Sequence, residues 1–259
     1  MKSNRVTAIF LTCSLLFSLT VAQGDSNRAR LKEARSMALP VYAVLDEHAQ
    51  PVIAASGKVG FISSVTAGSL ISFSVQTGKR LSAMVVGATA GPVSMVETRQ
   101  HRLLAVPAAN APQSGHPATV SIIDARNARQ LALRSLLFLP TGAHITPNTQ
   151  AYLTRDGRFC VIASSFHEPA LYSFNVETGE IVSQLPLLGR ASEVDFYEDG
   201  SRRTLAVASA VANTVSIIRL DENGQLISSA VFSPTDARIA EGNNPAFSAD
   251  GRALYIAAT

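Results

Sequence analysis

A phrase of β-forming residues followed by a polar turn recurs along the chain, and this repeat limits the possible fold more than any other feature. Its four copies have their turn positions at Gly78, Ala128, Gly179 and Gly224, in steps of 50, 51 and 45 residues. Steps of this length are typical of one supersecondary unit repeated along a chain. The chain is also 47% hydrophobic and 16% charged, so we expect the units to bury a packed core.

A second phrase lies upstream of the first and contains Asp-Gly, at Asp156-Gly157, Asp199-Gly200 and Asp250-Gly251. Asp-Gly between β-rich runs is a strong tight-turn signal, because glycine accepts a positive φ. Each unit therefore reads as strand, Asp-Gly turn, strand, loop, strand, Thr-Gly turn, strand. Polar and β-branched residues alternate in these runs, which favours strands over helices.

A four-stranded unit of this length predicts an all-β fold, a β-propeller of four-stranded antiparallel blades. We expect about four complete blades and a partial fifth, at residues 57–91, 92–145, 146–191, 192–243 and 244–259. Residues 87–91 are predicted to be a connector. Trp is absent from the chain, which excludes the Trp-Asp phrase of WD40 repeats.

Three phrases together resemble the YVTN family of β-propeller repeats: residues 248–257 (SADGRALYIA), residues 213–218 (NTVSII) and residues 177–180 (ETGE). The resemblance covers roughly residues 57–259. Two departures are a missing Asn after Ala257 and Asn127-Ala128 in place of Thr-Gly. The resemblance implies a propeller fold and a place among exported bacterial proteins of many roles, including lactonase-like propellers.

The N-terminus predicts export. Lys2 and Arg5 precede an apolar run and a small-residue exit at Ala22, which is typical of a cleavable signal peptide over residues 1–22. We therefore expect a secreted or periplasmic protein with no membrane segment after cleavage. An uncleaved anchor helix is the alternative.

Cleavage lowers the formal charge from +3 to +1, because two of 22 basic residues and none of the 19 acidic ones are lost. A nearly neutral chain lacks the basic footprint of nucleic-acid binding, so no nucleic-acid partner is expected. Cys160 is left without a disulfide partner, and its apolar run predicts a structural role.

The chain stops within its fifth unit, after two of four expected strands. Residues 23–56 are predicted to be a leader, in which residues 41–45 and 52–55 could add closing strands to the last blade, and a short helix over residues 26–37 is possible. A ring of five blades would then close. The alternatives are an arc completed by another chain and a fragment of a longer protein, and we expect the fragment.

The predicted topology sorts candidate residues onto two rims. The Asp-Gly and Thr-Gly turns share one rim, where Asp156, Asp199 and Asp250 are expected to shape turns. The joining loops and mid-unit loops share the other rim, where ligands are expected. The predicted ligand-binding residues there are His144, Arg190, Glu193, Asn243 and Asn244, and a second polar group comprises His116, His167 and Glu168.

Three histidines with Glu168 could act as acid and base or hold a metal. No His-x-His or His-x₃₋₅-His spacing fixes a coordination geometry, so no metal site and no cofactor are predicted. The sequence also lacks a Gly-x-Ser-x-Gly elbow, a phosphate loop and a haem attachment motif.

Two hypotheses of function follow. The first is a binding scaffold for an unknown protein or small-molecule ligand on the rim of joining loops, and it is favoured because the sequence supplies blades and no catalytic constellation. The second, implied by the family resemblance alone, is a lactonase-like hydrolase that opens a sugar lactone with His144, Arg190 and Glu193.

Overall fold

A computed structural model describes residues 50–109, 116–165, 168–191, 193–239 and 244–257. All regular secondary structure within these ranges is β, and every strand pairing is antiparallel. The predicted all-β class is confirmed. Residues 1–49 lie outside the described ranges, and with them the predicted signal peptide, the possible helix and the strand over residues 41–45.

The strands form sheets in series along the chain, which we call blades 1 to 5. Blade 1 comprises β1 (Val52–Ile53), β2 (Val59–Ser64), β3 (Ser69–Ser74) and β4 (Arg80–Val85). Blade 2 comprises β5 (Thr89–Ala90), β6 (Ser94–Glu97), β7 (Arg102–Ala109), β8 (Thr119–Asp124) and β9 (Ala132–Phe138). Blade 3 comprises β10 (Ala151–Leu153), β11 (Phe159–Ser164), β12 (Ala170–Asn175) and β13 (Ile181–Pro186).

Blade 4 comprises β14 (Glu193–Asp199), β15 (Arg202–Ser209), β16 (Thr214–Leu220) and β17 (Leu226–Phe232), and blade 5 has β18 (Ala246–Phe247) and β19 (Leu254–Tyr255). Each strand pairs with the next in blades 1, 3 and 4. The four repeated phrases of the sequence are the third and fourth strands of blades 1 to 4, as predicted.

The structure corrects the reading of residues 87–91 as a connector. Thr89–Ala90 forms β5, which pairs with the end of β7, while β6 pairs with the start of the same strand. The first strand of blade 2 is thus split in two around Pro92, which has no N–H for the ladder. Gly91, which lies between the two parts, still pairs with β7, because its N–H donates to the Pro107 carbonyl at 2.7 Å.

The structure also corrects the suggestion that residues 52–55 close the last blade. Val52–Ile53 pairs with Phe61 and Gly60 of β2, so it is the first strand of blade 1. A turn at Ser56-Gly57, with Gly57 at φ 67°, takes the place of the Asp-Gly turns of later blades. This turn connects β1 directly to β2, and the short link leaves β1 no reach to another blade.

The hydrophobic core lies between neighbouring blades. One buried cluster joins blades 1 and 2, a second joins blades 2 and 3, a third joins blades 3 and 4, and a smaller one joins blades 4 and 5. Successive residues of β7 alternate between two of them: Leu104 and Val106 face blade 1, whereas Leu103 and Ala105 face blade 3. This two-sided burial follows from the strand period of two and is the packing expected of radial blades.

The first strand of each blade is the inner one. β10 lies against β6 and β7 of the preceding blade, and β14 lies against β18 of the following blade. The fourth strands β4, β9, β13 and β17 carry the most exposed residues. The first strands therefore converge, and the fourth strands form the outer surface.

Cys160 is fully buried in β11. Burial in this apolar cluster raises the pKa of its thiol, which keeps the sulfur in the unreactive protonated form. The structure thus agrees with the predicted structural role.

The blades alternate between two types. In blades 1 and 3 the third strand has its bulge at Ser72-Phe73 and at Ser173-Phe174, 101 residues apart. In blades 2 and 4 the bulge lies at the same place in the strand, at Ile122-Ile123 and Ile217-Ile218, but the hairpin after it is longer. The residue after the bulge pairs ten positions further on in these blades (Ile123 with Leu133, Ile218 with Ser228), whereas in blades 1 and 3 it pairs seven positions further on (Phe73 with Arg80, Phe174 with Ile181). We call blades 1, 3 and 5 odd and blades 2 and 4 even, because the contacts described below follow the same alternation.

Candidate functional site

The antiparallel order of the strands creates two rims. Turns between first and second strands and between third and fourth strands form one end, which we call the turn rim. Loops between second and third strands and between successive blades form the opposite end, which we call the loop rim. His144, Arg190, Glu193 and Asn244 all lie on or beside joining loops of the loop rim.

Ser165 connects three loops of the loop rim. Its N–H donates to the His144 carbonyl at 2.9 Å, and its hydroxyl donates to the Ala191 carbonyl at 3.3 Å. The loop before blade 3, the mid-blade loop of blade 3 and the loop before blade 4 therefore meet at one buried serine. This contact brings the segment of His144 next to the segment of Arg190 and Glu193.

Asn213 organises the joining loop between blades 4 and 5. Its side-chain amide donates to the Pro234 and Ala237 carbonyls at 3.3 and 3.2 Å, and its oxygen accepts the Ile239 N–H at 2.9 Å. Asn213 adopts a φ of 51°, a conformation that asparagine tolerates better than most residues. Asn244 follows this loop and is exposed, and Asn243 lies outside the described residues.

The second predicted polar group is described only in part. His116 and Glu168 are exposed on mid-blade loops, whereas His167 lies outside the described residues, so the grouping of these side chains stays a prediction. Glu168 lies close to Tyr172. Burial and the Glu168 carboxylate together raise the pKa of the Tyr172 hydroxyl.

Within the described ranges, no three His, Cys, Asp or Glu side chains come together as a metal site would require. The same residues contain no helix of the length and apolarity that a membrane crossing needs.

The aspartates of the turn rim shape their turns. Asp156 accepts the Thr154 hydroxyl at 2.6 Å and the Arg158 N–H at 3.1 Å. Asp250 makes the equivalent bonds to Ser248 and Arg252 in blade 5. These contacts agree with the turn-forming role predicted for the two aspartates.

Asp156 has a second role that its sequence pattern does not indicate, in an ion-pair network between blades 3 and 4. Arg203 donates to Glu198 of its own blade at 2.9 Å and to Asp156 of blade 3 at 2.7 Å. Glu198 also accepts the Arg155 N–H at 2.6 Å. The network thus joins the inner hairpin of an even blade to the turn of the odd blade before it.

An equivalent Glu–Arg pair joins blade 2 to blade 1. Glu97 accepts two bonds from Arg102 and accepts the Ala55 N–H at 2.6 Å. Glu97 and Arg102 precede Glu198 and Arg203 by 101 residues each. The sequence signal of this contact is a Glu followed five residues later by an Arg. It repeats after two units and is absent from the unit between them.

Even blades also contact the odd blade that follows. The His101 ring nitrogen Nε2 donates to the Arg155 carbonyl at 3.2 Å, and Arg202, 101 residues later, donates to the Gly251 carbonyl at 2.9 Å. The inner hairpin of each even blade therefore contacts the turns of the odd blades on both sides of it.

Acid is expected to weaken these contacts. Burial alone would raise the pKa of Glu97, but its bonds from Ala55 and Arg102 lower the pKa below its ordinary value of 4.5. A carboxyl with a lower pKa in the folded state binds fewer protons there than in the unfolded chain, so its stabilisation is present above the ordinary pKa and is lost as pH falls through the folded pKa. We expect the free energy of unfolding, measured by urea titration, to decrease below about pH 4.5.

Glu97→Gln should flatten this pH dependence, and Glu177→Gln in an exposed turn serves as the control. Equal slopes for the Glu97→Gln variant and the unmodified chain would contradict the assignment.

A cavity of about 360 Å³ lies where the inner strands converge. It touches the first strands of four successive blades. Its lining includes Val52, Ser94, Met95, Tyr152, Arg155 and Phe196. The Tyr152 hydroxyl donates to the Val194 carbonyl, and burial together with Asp195 and Glu193 raises its pKa.

No family model and no curated protein matches the chain, whereas many solved structures share its fold. The Cps50 (Swd1) β-propeller domain of Myceliophteria thermophila matches with a TM-score of 0.57 at 15% identity, over 81% of this chain and 66% of that one. The hydrazine synthase of Kuenenia stuttgartiensis matches with a TM-score of 0.57 at 13% identity, over 80% of this chain and 60% of that one.

A putative 6-phosphogluconolactonase from Bacteroides uniformis matches with a TM-score of 0.53 at 16% identity, over 71% of this chain and 54% of that one. The chain thus spans less than two thirds of the length of each of these structures. At such identities the likeness concerns the fold. Sheets in series, cores between neighbouring sheets and these likenesses together show that the chain folds as a β-propeller.

Proposed function

We propose that this β-propeller is an exported binding scaffold that recognises a protein or small-molecule ligand with its loop rim, without a cofactor. The observation that supports the proposal most strongly is the junction at Ser165, where loops of two blade connections are held as one surface. Rigid scaffolds that carry converging loops commonly use those loops for binding. Export rests on the predicted signal peptide, and the relation to YVTN repeats rests on the sequence phrases.

The two rims differ in the length of their connections and in how far these connections are engaged by contacts between blades. Turns on the turn rim are short and are occupied by contacts between blades, such as those of Asp156 and Glu198. Two of the four joining loops on the loop rim are long, residues 139–150 and 233–245. Loop variation there changes specificity without disturbing the blades.

The test is affinity capture from the native envelope extract, followed by binding measurements with the purified partner. We expect His144→Ala/Arg190→Ala to weaken binding at least about tenfold, because truncating a side chain at the centre of an interface often costs 2 kcal/mol or more. Glu177→Ala on the opposite rim is the matched control and should bind normally. A partner that binds both variants equally would place recognition elsewhere and overturn the proposal.

The alternative is a lactonase-like hydrolase, favoured by the fold likeness to the putative 6-phosphogluconolactonase and by the adjacency of the His144 and Arg190 segments. Arg190 would hold the anionic group of a sugar lactone, and His144 with Glu193 would transfer protons. Turnover on a lactone panel that is lost in His144→Ala and in Arg190→Ala would support this hydrolase. A folded protein with no turnover on the panel would exclude it.

A further inference from the structure

Ser94 is a buried polar residue that has no hydrogen-bond partner among the described residues. Its side chain lines the inner-strand cavity, its hydroxyl is unpaired, and the residue is 8% exposed. Buried hydroxyls are paired in the large majority of cases. An unpaired hydroxyl in a cavity wall therefore points to a group that the cavity receives.

The alternation of the blades identifies what occupies the corresponding place elsewhere. The 101-residue relation between the even blades places Ser94 at the position of Asp195. Asp195 accepts the N–H of Phe247 in the next blade at 2.8 Å and the Phe196 N–H at 2.9 Å. Between blades 4 and 5, a carboxylate thus joins the two inner strands.

Blade 3 presents the donor that corresponds to Phe247. Phe247 and Leu153 both pair just before a turn, with Leu254 and Cys160 respectively. In each hairpin the following residue donates across the turn, Ser248 at 2.8 Å and Thr154 at 3.0 Å. Because ladder bonds alternate, the Leu153 N–H is directed away from β11, as the Phe247 N–H is directed away from β19.

Ser94 is too short to bridge to blade 3 as Asp195 bridges to blade 5. Between blades 2 and 3 the Leu153 N–H thus corresponds to the Phe247 N–H that Asp195 binds between blades 4 and 5. No carboxylate among the described residues accepts it. The other wall residues are mainly apolar, including Val52, Met95 and Phe196.

Among the described residues, the cavity wall contains one cation that a ligand carboxylate can approach, the guanidinium of Arg155. Arg155 lines the cavity and is exposed. The carboxylate of Glu198, which also lies in the wall, accepts hydrogen bonds from the Arg155 N–H and from Arg203, which it shares with Asp156. We propose that the cavity binds a small monocarboxylate with an apolar body, whose carboxylate lies between Ser94 and blade 3 as that of Asp195 lies between blades 4 and 5.

The volume suits such a ligand. Cavities that hold small organic molecules begin at about 300 Å³, and this one measures about 360 Å³. A single aromatic ring with a short acidic arm would place its ring against Met95 and Phe196. Phenylacetate is therefore a suitable probe, and phenylacetamide is its neutral counterpart of nearly equal shape.

The experiment is titration calorimetry of the full chain with both probes. We expect phenylacetate to bind about tenfold more tightly than phenylacetamide, because hydrogen bonds to a charged acceptor are roughly twice as strong as neutral ones. Ser94→Ala should weaken phenylacetate binding about tenfold. Ser94→Asp should abolish it, because the new carboxylate takes the place of the ligand.

Ser135→Ala is the matched control, since the Ser135 hydroxyl is also buried and unpaired among the described residues but lies on outer strand β9. This variant should bind phenylacetate normally. Thermal unfolding of each variant distinguishes loss of the site from loss of the fold, and Ser94→Ala keeps the test valid if Ser94→Asp does not fold.

Three results would overturn the proposal: equal binding of the two probes, undiminished binding in Ser94→Asp, or a crystal structure grown with phenylacetate that shows only a water molecule beside Ser94. The proposal does not rest on the loop rim. His144→Ala/Arg190→Ala should retain phenylacetate binding, so the two sites can fail separately.

Discussion

Arg203→Met is expected to lower the free energy of unfolding by about 3 kcal/mol. The Arg203 side chain is 9% exposed and the Glu198 side chain 7% exposed, so the variant leaves a carboxylate in a nearly dry position without its partner. Removal of one partner from a buried pair is costly for this reason, whereas an intact pair contributes little net stability. Urea unfolding followed by circular dichroism measures the change.

Arg126→Met is the control, because Arg126 pairs with Asp124 on the surface and its side chain is 66% exposed. We expect no measurable change for this variant, as for most surface ion pairs. The double variant Glu198→Gln/Arg203→Met should recover part of the stability lost by Arg203→Met. A double variant as unstable as the sum of the two single variants would show that the pair is not coupled.

Phe174→Ala is expected to cost about 3–5 kcal/mol. Phe174 is fully buried in the cluster between blades 2 and 3, and its ring lies 6.5 Å from that of Tyr172. Truncation removes this apolar surface from the core and leaves a cavity that the surrounding sheets cannot fill, since both are held by their ladders. The same urea titration reports the loss.

Phe138→Ala tests the same chemical change on the outer strand β9, where the residue is 54% exposed. We expect a cost below about 1 kcal/mol, in proportion to the smaller area that this ring buries. Similar losses for Phe138→Ala and Phe174→Ala would contradict the placement of the core between the blades.

The sequence was sufficient to predict the blades because their strands and turns depend on local chemistry. The turn glycines Gly78, Gly157, Gly179 and Gly251 all adopt positive φ values, as the repeated phrases require. Strand β1 was misassigned because its turn contains Ser56-Gly57 instead of Asp-Gly and its two residues show no alternation. Strand β5 was missed because Gly91 and Pro92 beside it are signals of a loop.

Contacts between blades were harder to predict from the sequence. The bonds of Glu97 and Glu198 go to backbone N–H groups of other blades, and a backbone donor leaves no mark in a sequence. These residues also recur at every second blade, so they do not follow the period of one blade that the strands and turns show. The order of the strands is enough to predict that the joining loops share one rim. The junction of these loops at Ser165 depends on distances between residues that are far apart in the sequence, so it could not be predicted.

The alternation of odd and even blades has a consequence for how a series of such blades can lengthen. An even hairpin holds the turn of an odd blade on each side, through Glu198 and Arg202 for example. Insertion of a single extra blade would place two blades of one kind side by side and leave a carboxylate or a turn without its counterpart. Duplication of a segment of about 101 residues would repeat the contacts that the inner hairpins make with neighbouring turns, so the blade pair is the unit by which this architecture can lengthen without mismatch.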